Sequence, residues 1–572
     1  MLPAITFDLM RRMTLGKSPA SEDVFRSGTD FCRDRVSATS IYGLLYRESH
    51  RLFPDEAFAD LFAGIGRWSV PPRIVAVVMV LQRLDGLSDR EAVDRITFDL
   101  RWKYAAGGLD FDYAGFVHTV LVDMRARLRR SERPNRIFET ALEVAREAGL
   151  IGRKRVLDST ALYDAVATQD TVTLIRSAIR ALLRIVDEKL NAELSSCCKR
   201  DDDYIAPGKP SCDWDDVQAR EALVDALARD AYAILAALDG RTLASEVTQA
   251  AKLVATVVGQ DLEQRDDGMF RIARRVAKDR VISTVDPEAR HGHKTAARGF
   301  DGYKGHIAID PDSEIITATT VTAGNVADGS VGDALVADVL AKPTSTTKES
   351  GIGEIKMAET PATESLDIGL AAAVAGGPTA EAVAPVEIYG DSSYGTAKFV
   401  EAIEGAGAEA NVKVQPPSAP EGKFAKDAFD IDLTNNTVRC PAGMLIVIRS
   451  STAGADGLRL ASFGVRCTNC ELRSQCTDGK EGRTIRVHPH EATLQRSRNR
   501  QRDPAWKARY RATRPKVERK IGHLMQRRHG GRRARVRGRA RVMHDFALLG
   551  AADNLRRLAT LGVHYDGSSW TR

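Results

Sequence analysis

The sequence predicts a mixed α/β fold with a helical amino-terminal part, on three observations. Apolar residues recur at helical spacing in the amino-terminal part, a hairpin with β-branched strands is read at 302–309 and 315–321, and two strand-like segments run directly into aspartates, Asp158 and Asp391. At 572 residues the chain exceeds a single core, and a prior of roughly 150 residues per unit predicts three or four. Its 43% hydrophobic and 28% charged residues are ordinary for a globular protein.

The amino-terminal elements follow from spacing and punctuation. Pro71 and Pro72 precede Ile74, Val77, Val78 and Leu81, one apolar stripe of a helix that Gly86 can end. Ser88 and Glu91 form a capping box for a second helix carrying Ala92, Val93, Ile96 and Leu100. Two helices about a glycine turn suit a helix-turn-helix DNA reader and equally suit any helical bundle. A basic helix from about Met124 to Arg133 stops at Pro134.

Val156-Leu157-Asp158-Ser159-Thr160 reads as a strand ending in a polar turn. Helical spacing follows in Ile175, Ile179, Leu182 and Val186 and again in Leu223, Leu227, Ile234 and Leu238, an antiparallel helix pair over 165–265 that interrupts the sheet. A hairpin is predicted from Gly302–Ile309, the turn Asp310–Ser313 and Ile315–Val321, then a helix over Val331–Leu340. Residues 342–383, rich in Ala, Thr, Glu, Gly and Pro, read as a flexible linker. Val386–Gly390 is a strand delivering Asp391, with a helix beginning near Lys398.

Glu518 lies in a late basic helical run, and each acidic residue alone has a plain structural explanation. Asp158 and Asp391 can be turn formers, and Glu518 can be a solvated partner of its basic neighbours at helical spacing. Together they are hard oxygen ligands of the kind that can hold divalent cations for attack on a phosphodiester.

Cys440, Cys467, Cys470 and Cys476 form a Cys, long gap, Cys-x2-Cys, x5, Cys pattern that suits a closed structural Zn2+ site, with buried reduced thiols as the alternative. Lys480, Arg483, Arg486 and His488 nearby suit a small DNA-contacting knuckle. Cys197, Cys198 and Cys212 lie beside Asp201-Asp202-Asp203 and support no metal assignment.

The net charge of +6 conceals an asymmetry. No acidic residue occurs between Glu518 and Asp545, while Arg527, Arg528, Arg532, Arg533, Arg535, Arg537, Arg539 and Arg541 crowd that stretch, a nucleic-acid footprint. A solvated basic surface or tail is the alternative, but Phe546, Leu548, Leu549, Leu555 and Leu558 follow and place the arginines inside a fold. The start has no signal-peptide pattern, and the longest apolar run, Ile74 to Leu81, is far short of a membrane span of roughly 20 residues. A soluble, intracellular protein with no membrane partner is expected.

Several of these segments carry a resemblance: Gly86–Val93, Val156–Thr160, Phe300-Asp301-Gly302-Tyr303-Lys304-Gly305-His306, Tyr389–Gly395, and Arg514 with Val517-Glu518-Arg519. Over most of its length the chain resembles a bacterial insertion-sequence transposase of the DDE type, in the subgroup with a helical amino-terminal domain and a cysteine-bearing insert. The resemblance implies an RNase H-like core in which Asp158, Asp391 and Glu518 bind two Mg2+ or Mn2+ ions and are catalytic. It implies double-stranded DNA as partner, both element ends with terminal inverted repeats and target DNA, a homodimer in the synaptic complex, and a cytoplasmic, nucleoid-associated protein. Arg514, Arg527, Arg528, Arg532, Arg533 and Arg535 are the expected DNA contacts. The expected organisation is a helical DNA-binding domain over 1–150, the core over 151–164 and 266–435, the helical insertion over 165–265, a zinc-ribbon-like insert over 436–480, and a catalytic helix with a basic end over 481–572. The chain departs from the family's last motif: Arg511 stands where a Tyr is expected, with Tyr510 one residue early, and Met525 stands where a basic residue is expected. A nuclease that hydrolyses without joining, and an inactivated DNA-binding derivative, are the alternative readings.

Overall fold

The computed structural model describes residues 27–63, 68–164, 167–201, 203–206, 208–295, 298–340, 384–450 and 457–572. The linker expected over 342–383 lies outside them. The longer elements are α1 (Ile41–Leu52), α2 (Pro72–Asp85), α3 (Asp89–Phe98), α4 (Thr119–Arg130), α5 (Arg136–Glu147), β1 (Lys154–Tyr163), α6 (Thr171–Ile185), α7 (Val217–Leu238), α8 (Ser245–Asp261), β2 (Arg290–Thr295), β3 (Arg298–Ile309), β4 (Ile316–Ala323), β5 (Glu387–Gly390), α9 (Ala397–Gly405), β6 (Glu409–Val412), α10 (Glu491–Arg500), α11 (Pro504–Thr513), α12 (Pro515–Leu524) and α13 (Arg539–Thr560).

The central sheet is mixed. β3 pairs antiparallel with β1 along one edge, and its other edge takes β2 along the first part and β4 along the rest. On the far side of β1, β5 and β6 run parallel to it, with α9 as the crossover between them. Side chains alternate across this sheet. Val156, Ile307 and Ile309 face a core shared with α11, α12 and α13, while Leu157 and Ala308 face a second core built with α9.

α13 explains why the amino-terminal helices pack onto the sheet. It is buried along most of its 22 residues and lies against β4 on one side and α2 and α5 on the other. Asn554 fixes the contact by accepting from the Ile316 N–H and donating to the Ile316 carbonyl, each at 2.8 Å. The apolar stripe expected on α2 is part of a helix buried on nearly every side, because α13 covers the face that spacing alone leaves to solvent. The Ser88–Glu91 capping box opens α3 as the sequence predicts. Between α2 and α3, Gly86 has φ +67°, and a Cβ there would stand 2.4 Å from the Arg528 carbonyl oxygen. That close approach docks the arginine-rich segment on the turn. The Arg83 guanidinium donates to the His529 carbonyl, and Arg535 donates to the Leu87 carbonyl.

Between β1 and β2 the chain forms α6, a short helix Glu188–Ser196, α7 and α8 around a core of their own. The helix pair expected from two apolar repeats is therefore joined by α8, whose Val247, Val254, Val257 and Val258 supply the third buried face. Cys440, Cys467, Cys470 and Cys476 lie among short strands from Asp430–Asp432 to Thr484–Val487, arranged as two three-stranded sheets. Among the described residues, no helix is long and apolar enough to cross a membrane.

Candidate active site

Strand register brings the two aspartates level. In the parallel pair of β1 and β5, Val156 stands opposite Tyr389, so two residues further on Asp158 and Asp391 lie side by side at the carboxyl end of β5. Crevices at that end of parallel strands are where open α/β sheets place their sites. Asp158 is largely buried, whereas Asp391 begins the turn after β5 and its Oδ1 accepts from the Ser393 N–H at 2.9 Å.

The third element approaches from the α11–α12 corner. Pro504 and Pro515 each open a helix, and Arg514 is the residue between them. Tyr510, one turn earlier, stacks on Trp506 and donates from its hydroxyl to the Gly390 carbonyl at 3.1 Å, which ties the corner to the residue before Asp391. Burial pushes the Tyr510 hydroxyl up to about 12, so it remains a donor at neutral pH.

Arg514 is the centre of the arrangement. Its guanidinium stands 2.9 Å from Asp158, 3.7 Å from Asp391 and 3.7 Å from Glu518, which lies one helical turn on. The three carboxylates that the sequence separates by up to 360 positions therefore surround one cation. Their settings differ: the Asp158 side chain is 14% exposed, Asp391 40% and Glu518 61%. Burial raises the Asp158 carboxyl above its usual range, with Arg514 opposing the rise and Asp391 adding to it. For Arg514 itself, burial works against the charge, but Asp158, Asp391 and Tyr510 together outweigh it and the guanidinium is held more firmly protonated than usual.

The pocket beside the aspartates is lined by Ser159, Thr160, His293, Lys294, Phe300, Lys304, Asp328 and Ser393. Asp328 was not singled out by sequence, because it follows a strand in a turn-like run where an acidic helix start is unremarkable. It is buried, accepts from the Ser159 hydroxyl at 2.6 Å and pairs with Lys304 at 2.8 Å. A wider cleft of about 510 Å³ adjoins this pocket and shares His293 and Lys304 with it.

The remaining sequence candidates sit elsewhere. Cys440, Cys467, Cys470 and Cys476 line one small cavity with Phe424, Phe429 and Phe463, and none is in a disulfide. Burial raises the Cys476 thiol. Arg527, Arg528, Arg532, Arg533, Arg537, Arg539 and Arg541 are exposed, and Arg535 is half-buried. Met525, at the position expected to be basic, is in the core, packed beneath Gly531. Among the described residues, no group of three or more His, Cys, Asp or Glu is arranged to hold a metal ion as it stands. At the acidic cluster, the Arg514 guanidinium is the cation that the three carboxylates share.

Comparison with protein-family models gives the class. Residues 34–127 match a model described as Transposase domain (DUF772), and residues 268–359 and 439–559 each match a model described as Transposase DDE domain. Glu518, Arg514 and the four cysteines fall inside the last match; Asp158 and Asp391 fall between matches. No curated protein and no solved structure matches the chain. A chain matched along three segments by transposase models is a DNA transposase. It belongs to the insertion-sequence transposases of the DDE type, which act on DNA by metal-dependent phosphodiester cleavage and strand transfer, typically with Mg2+ or Mn2+.

Proposed function

We propose that Asp158, Asp391 and Glu518 are the catalytic carboxylates of this transposase, and that it binds the terminal inverted repeats of its own element, cuts there, and joins the freed 3′-hydroxyl ends to target DNA. The observation that carries the reading is the convergence of all three on Arg514. Carboxylates already gathered around a guanidinium are a donor set suited to hard divalent cations. When bound, two such cations lower the pKa of the attacking water or hydroxyl and stabilise the leaving oxygen. The chain's own part is placement: parallel register holds Asp158 and Asp391 level, and the α11–α12 corner brings Glu518 to them. Arg514 neutralises the cluster until substrate and metal enter. His293 and Lys294, both exposed on β2 at the pocket, suit the phosphate backbone.

On this reading the central sheet and its packed helices are the RNase H-like core, and residues 165–265 are an insertion within it. The exposed Arg527, Arg528, Arg532 and Arg533 and the half-buried Arg535 are the DNA contacts, Arg514 joining them only when it leaves the carboxylates, and α2–α3 within residues 1–150 carries the end-sequence preference. Two protomers pair in the synaptic complex. The four cysteines sharing one cavity suit a structural Zn2+ by donor chemistry.

The test uses the full chain, a duplex bearing the element's terminal repeat, and the same duplex already cut at its 3′ end. Asp158→Ala, Asp391→Ala and Glu518→Ala are each expected to bind the duplex normally and to lose both cleavage and joining. Joining of pre-cut ends by the wild type separates this reading from a hydrolytic nuclease. Cleavage surviving in folded Asp158→Ala or Asp391→Ala would overturn the assignment.

A further inference from the structure

The Gly302–His306 run on β3 stood out in the sequence, yet none of its side chains takes part in the chemistry above. Lys304 and His306 alternate with Gly305 and point to the side of the sheet opposite Arg514, as strand alternation requires. Each begins a chain of hydrogen bonds that ends at the backbone carrying one catalytic aspartate.

The first chain starts at Lys304. Its Nζ donates to Asp328 at 2.8 Å and to the Val326 carbonyl at 2.9 Å, and the second oxygen of Asp328 accepts from the hydroxyl of Ser159, the neighbour of Asp158. The second starts at His306. Its Nδ1 meets the Tyr394 hydroxyl at 2.9 Å, and its Nε2 meets the Thr322 hydroxyl at 2.9 Å. Tyr394 closes the turn that Asp391 opens, its N–H donating to the Asp391 carbonyl at 3.2 Å. His306 and Tyr394 are fully buried, and Asp328 nearly so. A polar network this deep is costly unless every member is satisfied, and here both ring nitrogens, both Asp328 oxygens and the ammonium have partners.

Resting on the carboxylate assignment above, we propose that Lys304 and His306 are positioning residues: through Asp328–Ser159 and through Tyr394 they hold Asp158 and Asp391 at fixed separation from behind the sheet, while Arg514 gathers them from the front. Neither touches the reacting atoms. They set the ligand geometry that a divalent cation meets, in the way that outer hydrogen-bond partners orient metal-binding carboxylates.

Tyr394→Phe and Ser159→Ala each remove one hydroxyl and little else. In the full-length protein the readouts are Mn2+ affinity without DNA by calorimetry, kcat and KM for end cleavage, and the thermal midpoint. Expected for both variants is a loss of about 10- to 100-fold in Mn2+ affinity and in kcat, with KM for DNA unchanged. Wild-type Mn2+ affinity and kcat in both variants would overturn the proposal. So would losses in kcat that track only the folded fraction while Mn2+ affinity per folded molecule is unchanged. Asp158→Ala run alongside separates the two layers. If it still cleaves, the carboxylate assignment fails; if it is inactive and both hydroxyl variants behave as wild type, only the positioning role fails.

Discussion

Replacing Arg514 with Met keeps a long side chain and removes the charge, and the structure sets both the size of the effect and its dependence on pH. The pair that matters is Arg514 with Asp158, 2.9 Å apart with side chains 7% and 14% exposed. Glu518 and Asp391 are wet enough that their attraction to Arg514 contributes little. Breaking a buried pair typically costs about 3–5 kcal/mol, because one charge is left without a partner. Here the stranded carboxylate has an escape, which is to take a proton. From an unfolded-state pKa of about 3.9, that proton costs about 4 kcal/mol at pH 7 and about 1.5 kcal/mol at pH 5. The sign follows from Asp158 being an acid raised in the folded state. The variant's folded form binds a proton that the unfolded chain does not, so its stability increases as pH falls through the folded pKa. The expected result is a destabilisation of up to about 4 kcal/mol at pH 7, shrinking to no more than about 1.5 kcal/mol at pH 5. Denaturant midpoints of wild type and variant at the two pH values measure it, with Asp158→Asn/Arg514→Met closing a double-mutant cycle. Equal destabilisation at both pH values, or no recovery in the double variant, would refute the reasoning.

Three further outcomes are expected. Replacing Arg527, Arg528, Arg532 or Arg533 singly with Ser should lower the slope of log affinity against log salt on non-specific duplex by about 0.9 for each phosphate no longer neutralised; an unchanged slope places the DNA elsewhere. Gly86→Ala forces a left-handed backbone on an L side chain and drives its Cβ into the Arg528 carbonyl, so a stability loss of at least about 1–3 kcal/mol is expected, read as a lowered thermal midpoint. Cys470→Ser should abolish stoichiometric Zn2+ retention measured by native mass spectrometry on reduced protein; wild-type protein carrying no Zn2+ would leave the four thiols as a reduced cluster.

Local signals were the legible part of this fold. The α2–Gly86–α3 hairpin announced itself through Ser88 and Glu91, the β3–β4 hairpin through its β-branched runs and Asp310 turn, and β5 through the short apolar run ending at Asp391. Non-local pairing was not legible. Nothing in the segment around Val156 says that it lies opposite Tyr389, yet that register is what sets Asp158 beside Asp391. Asp328 was hidden for the same reason: its significance comes from Lys304 and Ser159, 24 and 169 positions away. α8 is not part of the predicted helix pair, although its Val247, Val254, Val257 and Val258 recur at helical spacing. Nor does the sequence show that the Tyr510 hydroxyl reaches the Gly390 carbonyl, 120 positions away.

On the proposed function, the arginine-rich segment bears on catalysis through the end of β1 as well as through its charge. The Tyr163 N–H donates to the Arg532 carbonyl at 2.9 Å and the Ala534 N–H donates to the Tyr163 carbonyl at 2.8 Å, so the segment continues the sheet at the strand that carries Asp158. Five residues of strand separate Tyr163 from Asp158, about 16 Å, or roughly the rise of five base pairs of duplex. On the proposed function, a duplex held by these arginines is therefore placed at a set distance from the carboxylates, with no flexible joint between. The same segment is fastened to the α2–α3 turn through Arg83 and Arg535, and α2 shares its core with the sheet through α13. Removing the amino-terminal helices would strip α13 of a buried face and disturb the candidate site as well as the arginine-rich segment. On the proposed function, sequence preference and chemistry are thus separable by point substitutions on exposed α3 side chains, which leave that shared core intact.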